Sequence, residues 1–335
     1  MYIPNSRWTW IFVVVAVTQS AVTLALQAYV FAIFQIQLNP TAVGATSSKT
    51  IPTFLSLYLF GFVYELILVY DALRLKNTIQ IIGLCICNLG LLIYGAIQIS
   101  QTQDAVQSLV DNKAINKDIW QQTRPFLTAI PCIVALGSVL MMLAAWKIYD
   151  EFSWTIYKHI SADLRMKRRY LTYQIYIALL KFDFFFFLGF TVQFVVIVTE
   201  RTDIEFSLTL AAIPVTIVIL LFAVFFCRRE NTFGMAIIIF LYFGGLAYFL
   251  FKLVRMYQPA KYREYLPARR GLTFFAVITL ILIVMTIVNA FICTSNFHKG
   301  LKRHLSDRRS SDEAEKTTEL ATKDPSQNSA RMMID

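Results

Sequence analysis

Phe206–Cys227 reads FSLTLAAIPVTIVILLFAVFFC, an apolar run without one charged side chain, closed by Arg228 and Arg229. A helix rises 1.5 Å per residue, so about 20 such residues cross the roughly 30 Å hydrocarbon layer of a bilayer. A helix apolar on every face belongs in lipid or in the centre of a large core. Working outward, seven more stretches meet the same length test: Trp10–Phe34, Ile51–Tyr70, Ile79–Ser100, Phe126–Trp146, Leu179–Thr199, Phe233–Phe251 and Leu272–Cys293. The expected fold is therefore all-α, a polytopic transmembrane helix bundle of about eight spans. A 57% hydrophobic share, only 16% charged residues and a mean hydropathy of +0.58 exclude a soluble fold.

The first run is too long for a signal-peptide core, although Thr18-Gln19-Ser20 before Ala21 is a weak cleavage pattern. An uncleaved anchor is expected; cleavage, or a re-entrant segment, would leave seven spans. The net charge of +10 does not point to nucleic acid, because Lys and Arg fall between the apolar runs and in the tail. On alternate sides of an eight-span chain they number sixteen and eleven, and the richer side carries both termini. Basic loops stay in the cytosol, so both termini are expected there. The six basic residues from Lys252 to Arg270 lie on the other side and oppose this reading. A re-entrant seventh segment would carry them inward.

Three parts follow: a bundle over residues 1–295, an amphipathic cytosolic connector over 147–178, and a cytosolic tail over 296–335. In the connector Trp154, Tyr157, Ile160 and Leu164 recur at three- and four-residue spacing among Lys158, Arg165, Lys167, Arg168 and Arg169. Such a helix either lies on anionic lipid around residues 147–170 or extends spans four and five into the cytosol. The tail starts basic and turns polar, a composition that builds no core and reads as disordered. Ser310 and Ser311, beside Arg308 and Arg309, are its candidate phosphorylation sites. Cys227 and Cys293 close two spans and are candidates for S-acylation. Asn39 is followed by Pro40, so no glycosylation acceptor occurs. A four-plus-four repeat is not expected, since the residues at corresponding places do not match.

Ionisable groups in hydrocarbon cost at least about 2.5–3.5 kcal/mol at mid-span, so each needs a partner, water or shallow depth. Glu65 in span two and Lys181 and Asp183 in span five stand out. A Glu65–Lys181 pair would neutralise both. Lys181 and Asp183, two residues apart, point in different directions, leaving Asp183 to find its own partner. The functional reading is a titrating site in a transporter, led by Glu65; the structural one is an ion pair that fixes helix packing. Gln19, Thr23 and Gln27 share one face of span one, and Thr279, Thr286, Asn289 and Cys293 recur along span eight. Stripes of this kind knit helices together at about 0.6 kcal/mol per bond.

His159, His298 and His304 all fall in connecting segments, so no metal site is expected within the spans. The chain has no G-x-S-x-G, no H-E-x-x-H and no P-loop, and Tyr70-Asp71 has no second aspartate in a Gly-x-Gly-Asp setting. No enzyme, cofactor or nucleic-acid partner is expected; the bilayer is.

The run Arg168–Phe194, RRYLTYQIYIALLKFDFFFFLGFTVQF, with Ala162-Asp163-Leu164 before it, resembles the uncharacterised multi-spanning Golgi apparatus membrane proteins of fungi. Four phenylalanines directly after Lys-Phe-Asp make it specific, and the likeness extends over most of the hydrophobic region. It implies a Golgi or related endomembrane location and carries no reaction, ligand or catalytic residue. The expected role is trafficking, organisation or cargo handling, with a small-solute or ion transporter as the alternative.

Overall fold

The structure is a computed structural model that describes residues 6–37, 46–111, 115, 118–159, 164–195, 204–258 and 269–299. Ser310, Ser311, Ile160 and the tail beyond residue 299 lie outside the described residues, as do the side chains of Trp154, Tyr157, Lys158 and Leu164. Among the described residues eight helices follow one another: α1 (Arg7–Gln37), α2 (Thr46–Arg74), α3 (Thr78–Asp111), α4 (Asp118–His159), α5 (Leu164–Gln193), α6 (Ile204–Arg229), α7 (Thr232–Met256) and α8 (Arg269–Ser295). All eight are long and apolar enough to cross a membrane. Large apolar side chains cover the outside, among them Leu136, Phe233, Phe240 and Val254. That exterior fits lipid, as the sequence requires.

Several helices outrun the expected spans. The α2 helix continues past Tyr70 to Arg74, α4 runs on to His159, and α5 begins at Leu164 instead of Leu179. Charges at Arg165–Arg169 end the apolar run but not the helix, because Tyr170, Tyr173 and Tyr176 are buried beyond them. The segment 147–178 is thus divided between the ends of two long helices, with 160–163 outside the described residues.

The helices close into two rings of four. In the first, α1 packs on α2 and α4, and α3 on α2 and α4; in the second, α5 packs on α6 and α8, and α7 on α6 and α8. The rings meet where α2 and α3 contact α5 and α3 contacts α8. Their middle turns share one construction. Lys76 (φ 49°) and Glu230 (φ 53°) are left-handed, and each precedes an asparagine and a threonine. The amides of Lys76 and Asn77 bond back to Leu73 and Ala72, and those of Glu230 and Asn231 to Cys227 and Phe226. This is the double return bond that ends many helices. Asn77 then accepts from the amides of Ile79 and Gln80, and Asn231 from Gly234, each capping the next helix. Matching residues therefore do occur at corresponding places, against the expectation of no repeat. The identity is two residues long, Asn-Thr, and is recognised only through the turn geometry.

Aromatic rings fill the seam between the rings of helices. Phe60 and Tyr64 of α2 stack on Phe185 of α5, each at 5.7 Å between centroids. Phe275 of α8 meets Tyr94 at 5.2 Å and Phe186 at 6.0 Å. Gly83 admits the Phe182 ring so closely that a Cβ there would stand 2.3 Å from it. α5 is the enclosed helix, with 67% of its most apolar stretch buried against 11% for α6, which faces outward.

Candidate functional site

Polar side chains of the described residues meet at several places within the bundle. The first joins α2, α3 and α5. Lys181 bonds to the Asp71 carboxylate and donates to Gln80 Oε1 at 2.9 Å. Gln80 Nε2 donates in turn to Asp71 and to the Leu68 carbonyl, both at 3.0 Å. The tight turn at Leu75–Asn77 places Asp71 opposite Gln80, and Tyr64 OH donates to the Lys181 carbonyl at 2.9 Å to hold α5 there. Lys181 thus pairs with Asp71, not with Glu65 as the sequence had led us to expect. Asp71 is one turn from the end of α2, whereas Glu65 is nine residues, about 13–14 Å, from it. The partners remain 25% and 34% exposed, so this is a boundary pair that snorkels rather than a dry one.

Asp183 points the other way, as a two-residue step on a helix demands. Its Oδ2 accepts from Thr286 Oγ1 of α8 at 2.6 Å, and its Oδ1 has no protein partner. Beside it Tyr176 OH and Tyr242 OH lie 3.2 Å apart, bridging α5 and α7. Asn289 donates to the Thr172 carbonyl at 3.2 Å, a second α8–α5 tie, while Thr279 bonds within its own helix.

In the first ring, Gln19 Nε2 donates to Asn88 Oδ1 at 2.6 Å, and Asn88 Nδ2 donates to Gln19 Oε1 and Ser138 Oγ, both at 3.2 Å. The absence of a side chain at Gly137 leaves room for the Gln19 amide, since a Cβ there would stand 1.7 Å from Gln19 Oε1. The expected stripe on α1 does face inward, yet only Gln19 of its three members is partnered. Thr23 and Gln27 are fully buried, and their polar side-chain atoms find no hydrogen-bond partner among the described residues.

Glu65 is 5% exposed, and neither carboxylate oxygen has a hydrogen-bond partner among the described residues. Cys85 and Cys87 of α3 are its titratable neighbours. The candidate acylation sites Cys227 and Cys293 are both buried and face one another, Sγ to Sγ at 3.9 Å, so acylating either requires this contact to open. Arg228 Nε beside them donates to Tyr173 OH at 3.2 Å. Among the described residues no three His, Cys, Asp or Glu side chains converge to hold a metal ion.

Asp71, Gln80, Ser138 and the Tyr176–Tyr242 pair are the polar partners that sequence reasoning passed over. Asp71 and Gln80 carried a usable signal, since each lies about one helical turn from the short turn at Leu75–Asn77. The tyrosines carried none, because a tyrosine in an apolar run reads as filler.

No family model matches the chain, and no solved structure does. A UPF0658 Golgi apparatus membrane protein of Schizosaccharomyces pombe is 38% identical over 276 residues, which cover 76% of this chain and 78% of the relative. With that identity spread over most of both chains, this chain belongs to the family of UPF0658 Golgi apparatus membrane proteins.

Proposed function

We propose that the protein is a non-enzymatic, multi-pass component of the Golgi membrane that acts in trafficking or membrane organisation, with both termini in the cytosol. The segment 147–178 and the tail 296–335 are its contact surfaces. The relative's name, a Golgi apparatus membrane protein, supports the location. The observation that carries the role is the seam. A solute path between two four-helix halves would run where Phe60, Tyr64, Tyr94, Phe185, Phe186 and Phe275 instead pack ring on ring. Bilayer interiors give helices little hydrophobic reason to associate, so packing this dense is itself the stabilising term.

One observation favours a second reading, a proton- or ion-coupled transporter. Glu65 is buried within the bundle with both oxygens unpartnered, and an acid at such depth is a functional candidate. Proteoliposomes holding folded, uniformly oriented protein separate the two. Across an imposed pH gradient and a panel of ions and nucleotide sugars, the expected flux equals that of empty vesicles. Flux that Glu65→Gln abolishes would replace the first reading with the second.

A further inference from the structure

The interior of the second ring ends in sulfur on the side where the tail leaves. Cys227 stands two residues before the end of α6, Cys293 two before the end of α8, and Met235 three after the start of α7. The turn at Glu230–Asn231 folds α7 back on α6, which brings Met235 to the level of Cys227. All three residues belong to one buried cluster, at 3%, 2% and 0% exposure. The two thiols face each other across the diagonal of the ring, Sγ to Sγ at 3.9 Å. The Met235 thioether is turned inward as well, its Sδ 3.9 Å from Tyr176 OH.

Ala223, Ile238, Ile239 and Ala290 belong to the same cluster, and Phe297 closes it toward the tail. Two bonds hold that closure. Glu230 Oε2 accepts from the His298 amide at 2.9 Å, and Arg169 Nη1 donates to the Lys299 carbonyl at 2.6 Å.

Sulfurs 3.9 Å apart are not bonded to one another, yet they have the spacing of two thiolates on one metal ion. With metal–sulfur bonds of about 2.3 Å, that spacing sets an S–metal–S angle of about 116°, near the trigonal value. A trigonal ion takes a third ligand, and Met235 is the remaining sulfur of the cluster. Zinc takes four, and among the described residues no third His, Cys, Asp or Glu joins the cysteines. Two thiolates and a thioether form the soft set that selects Cu(I), and an apolar enclosure that limits solvent access favours the same ion.

We infer that Cys227, Cys293 and Met235 bind one Cu(I). Two thiols give up their protons, the copper keeps its oxidation state, and the complex carries one negative charge. Arg228 follows Cys227 in the chain and is steered by Tyr173 OH at 3.2 Å, so a cation stands beside that charge. Entry of the ion requires the Phe297–Lys299 segment to lift. Copper binding and acylation of either cysteine exclude one another. The inference goes beyond the proposed role and stands whether or not the protein moves a solute.

The test uses full-length protein in mild detergent, its five thiols reduced and counted, titrated without oxygen with Cu(I) held by bicinchoninate. Wild type should withdraw one Cu(I) per chain and keep it against excess zinc. Cys227→Ala and Cys293→Ala should each abolish the withdrawal, whereas the triple variant Cys85→Ala, Cys87→Ala, Cys132→Ala should retain it. Met235→Leu keeps the volume and removes the sulfur, and should weaken binding at least about tenfold. X-ray absorption on copper-loaded wild type, which needs no variant to fold, should show a shell of three sulfurs. Reduced wild type that takes no Cu(I) would overturn the inference and leave the pair as a disulfide-forming contact only. So would withdrawal that survives Cys227→Ala or Cys293→Ala, its loss from a folded triple variant, unchanged affinity in Met235→Leu, or nitrogen or oxygen ligands in the copper shell.

Discussion

The two rings of helices have the same outline and opposite interiors. Gln19 stands twelve residues into α1 and Asn88 ten into α3; Tyr176 stands twelve residues into α5 and Tyr242 ten into α7. Each pair hydrogen-bonds across the diagonal of its ring, at 2.6 Å between amides in the first and 3.2 Å between phenols in the second. One position thus does one mechanical job with two chemistries. The amides draw in a third helix through Ser138 and need Gly137 for room, whereas the phenols bring apolar ring area with their single hydroxyls. The first ring therefore depends on directional bonds, and the second on ring packing around α5. Where the lipid supplies no hydrophobic contrast, these are the two ways left to hold helices together.

The largest expected effect tests the seam, on which both rings rely. Gly83→Ala puts a Cβ into the Phe182 ring, which is confined on all sides, and overpacking of that kind costs about 1–3 kcal/mol. Thermal unfolding in detergent should show it as a lowered Tm, and an unchanged Tm would mean that the rings are not locked there. Asn88→Leu comes next, removing the link among α1, α3 and α4 for about 1–2 kcal/mol, given three side-chain partners lost in an apolar setting, Gln19, Ser138 and the Met141 sulfur. If the comparison is right, Tyr242→Phe, which deletes one hydroxyl and keeps the ring, costs less than Asn88→Leu in the same assay. Equal losses would erase the distinction between the rings.

Lys181→Met should cost about 1 kcal/mol, well below a dry ion pair, because water reaches both partners and Gln80 still donates to Asp71. Asp71→Asn should then be partly tolerated in the Lys181→Met background, a coupling that Glu65→Gln should not show. The smallest change in stability is expected from oxidation. Copper phenanthroline, with oxygen as electron acceptor, should join Cys227 to Cys293 with loss of two protons and two electrons, leaving Cys85, Cys87 and Cys132 as thiols by peptide mass mapping. A different pairing would contradict the approach of Cys227 to Cys293 across the second ring.

Sequence alone settled the membrane class and the number of apolar helices. Those properties are local: hydrocarbon thickness sets a length, and composition along that length satisfies it or does not. It also located the inward stripe on α1 and the divergence of Lys181 from Asp183, both consequences of helical periodicity. Only the tertiary structure decided which group answers which. Asp71 displaced Glu65 as the partner of Lys181 because α2 runs on past the apolar stretch and a three-residue turn swings Gln80 alongside. The pairing of Tyr176 with Tyr242, and the contact of Cys227 with Cys293, depend on the rotation of helices that are apolar on nearly every face. Such helices carry almost no periodic signal, so their neighbours choose the face that turns inward.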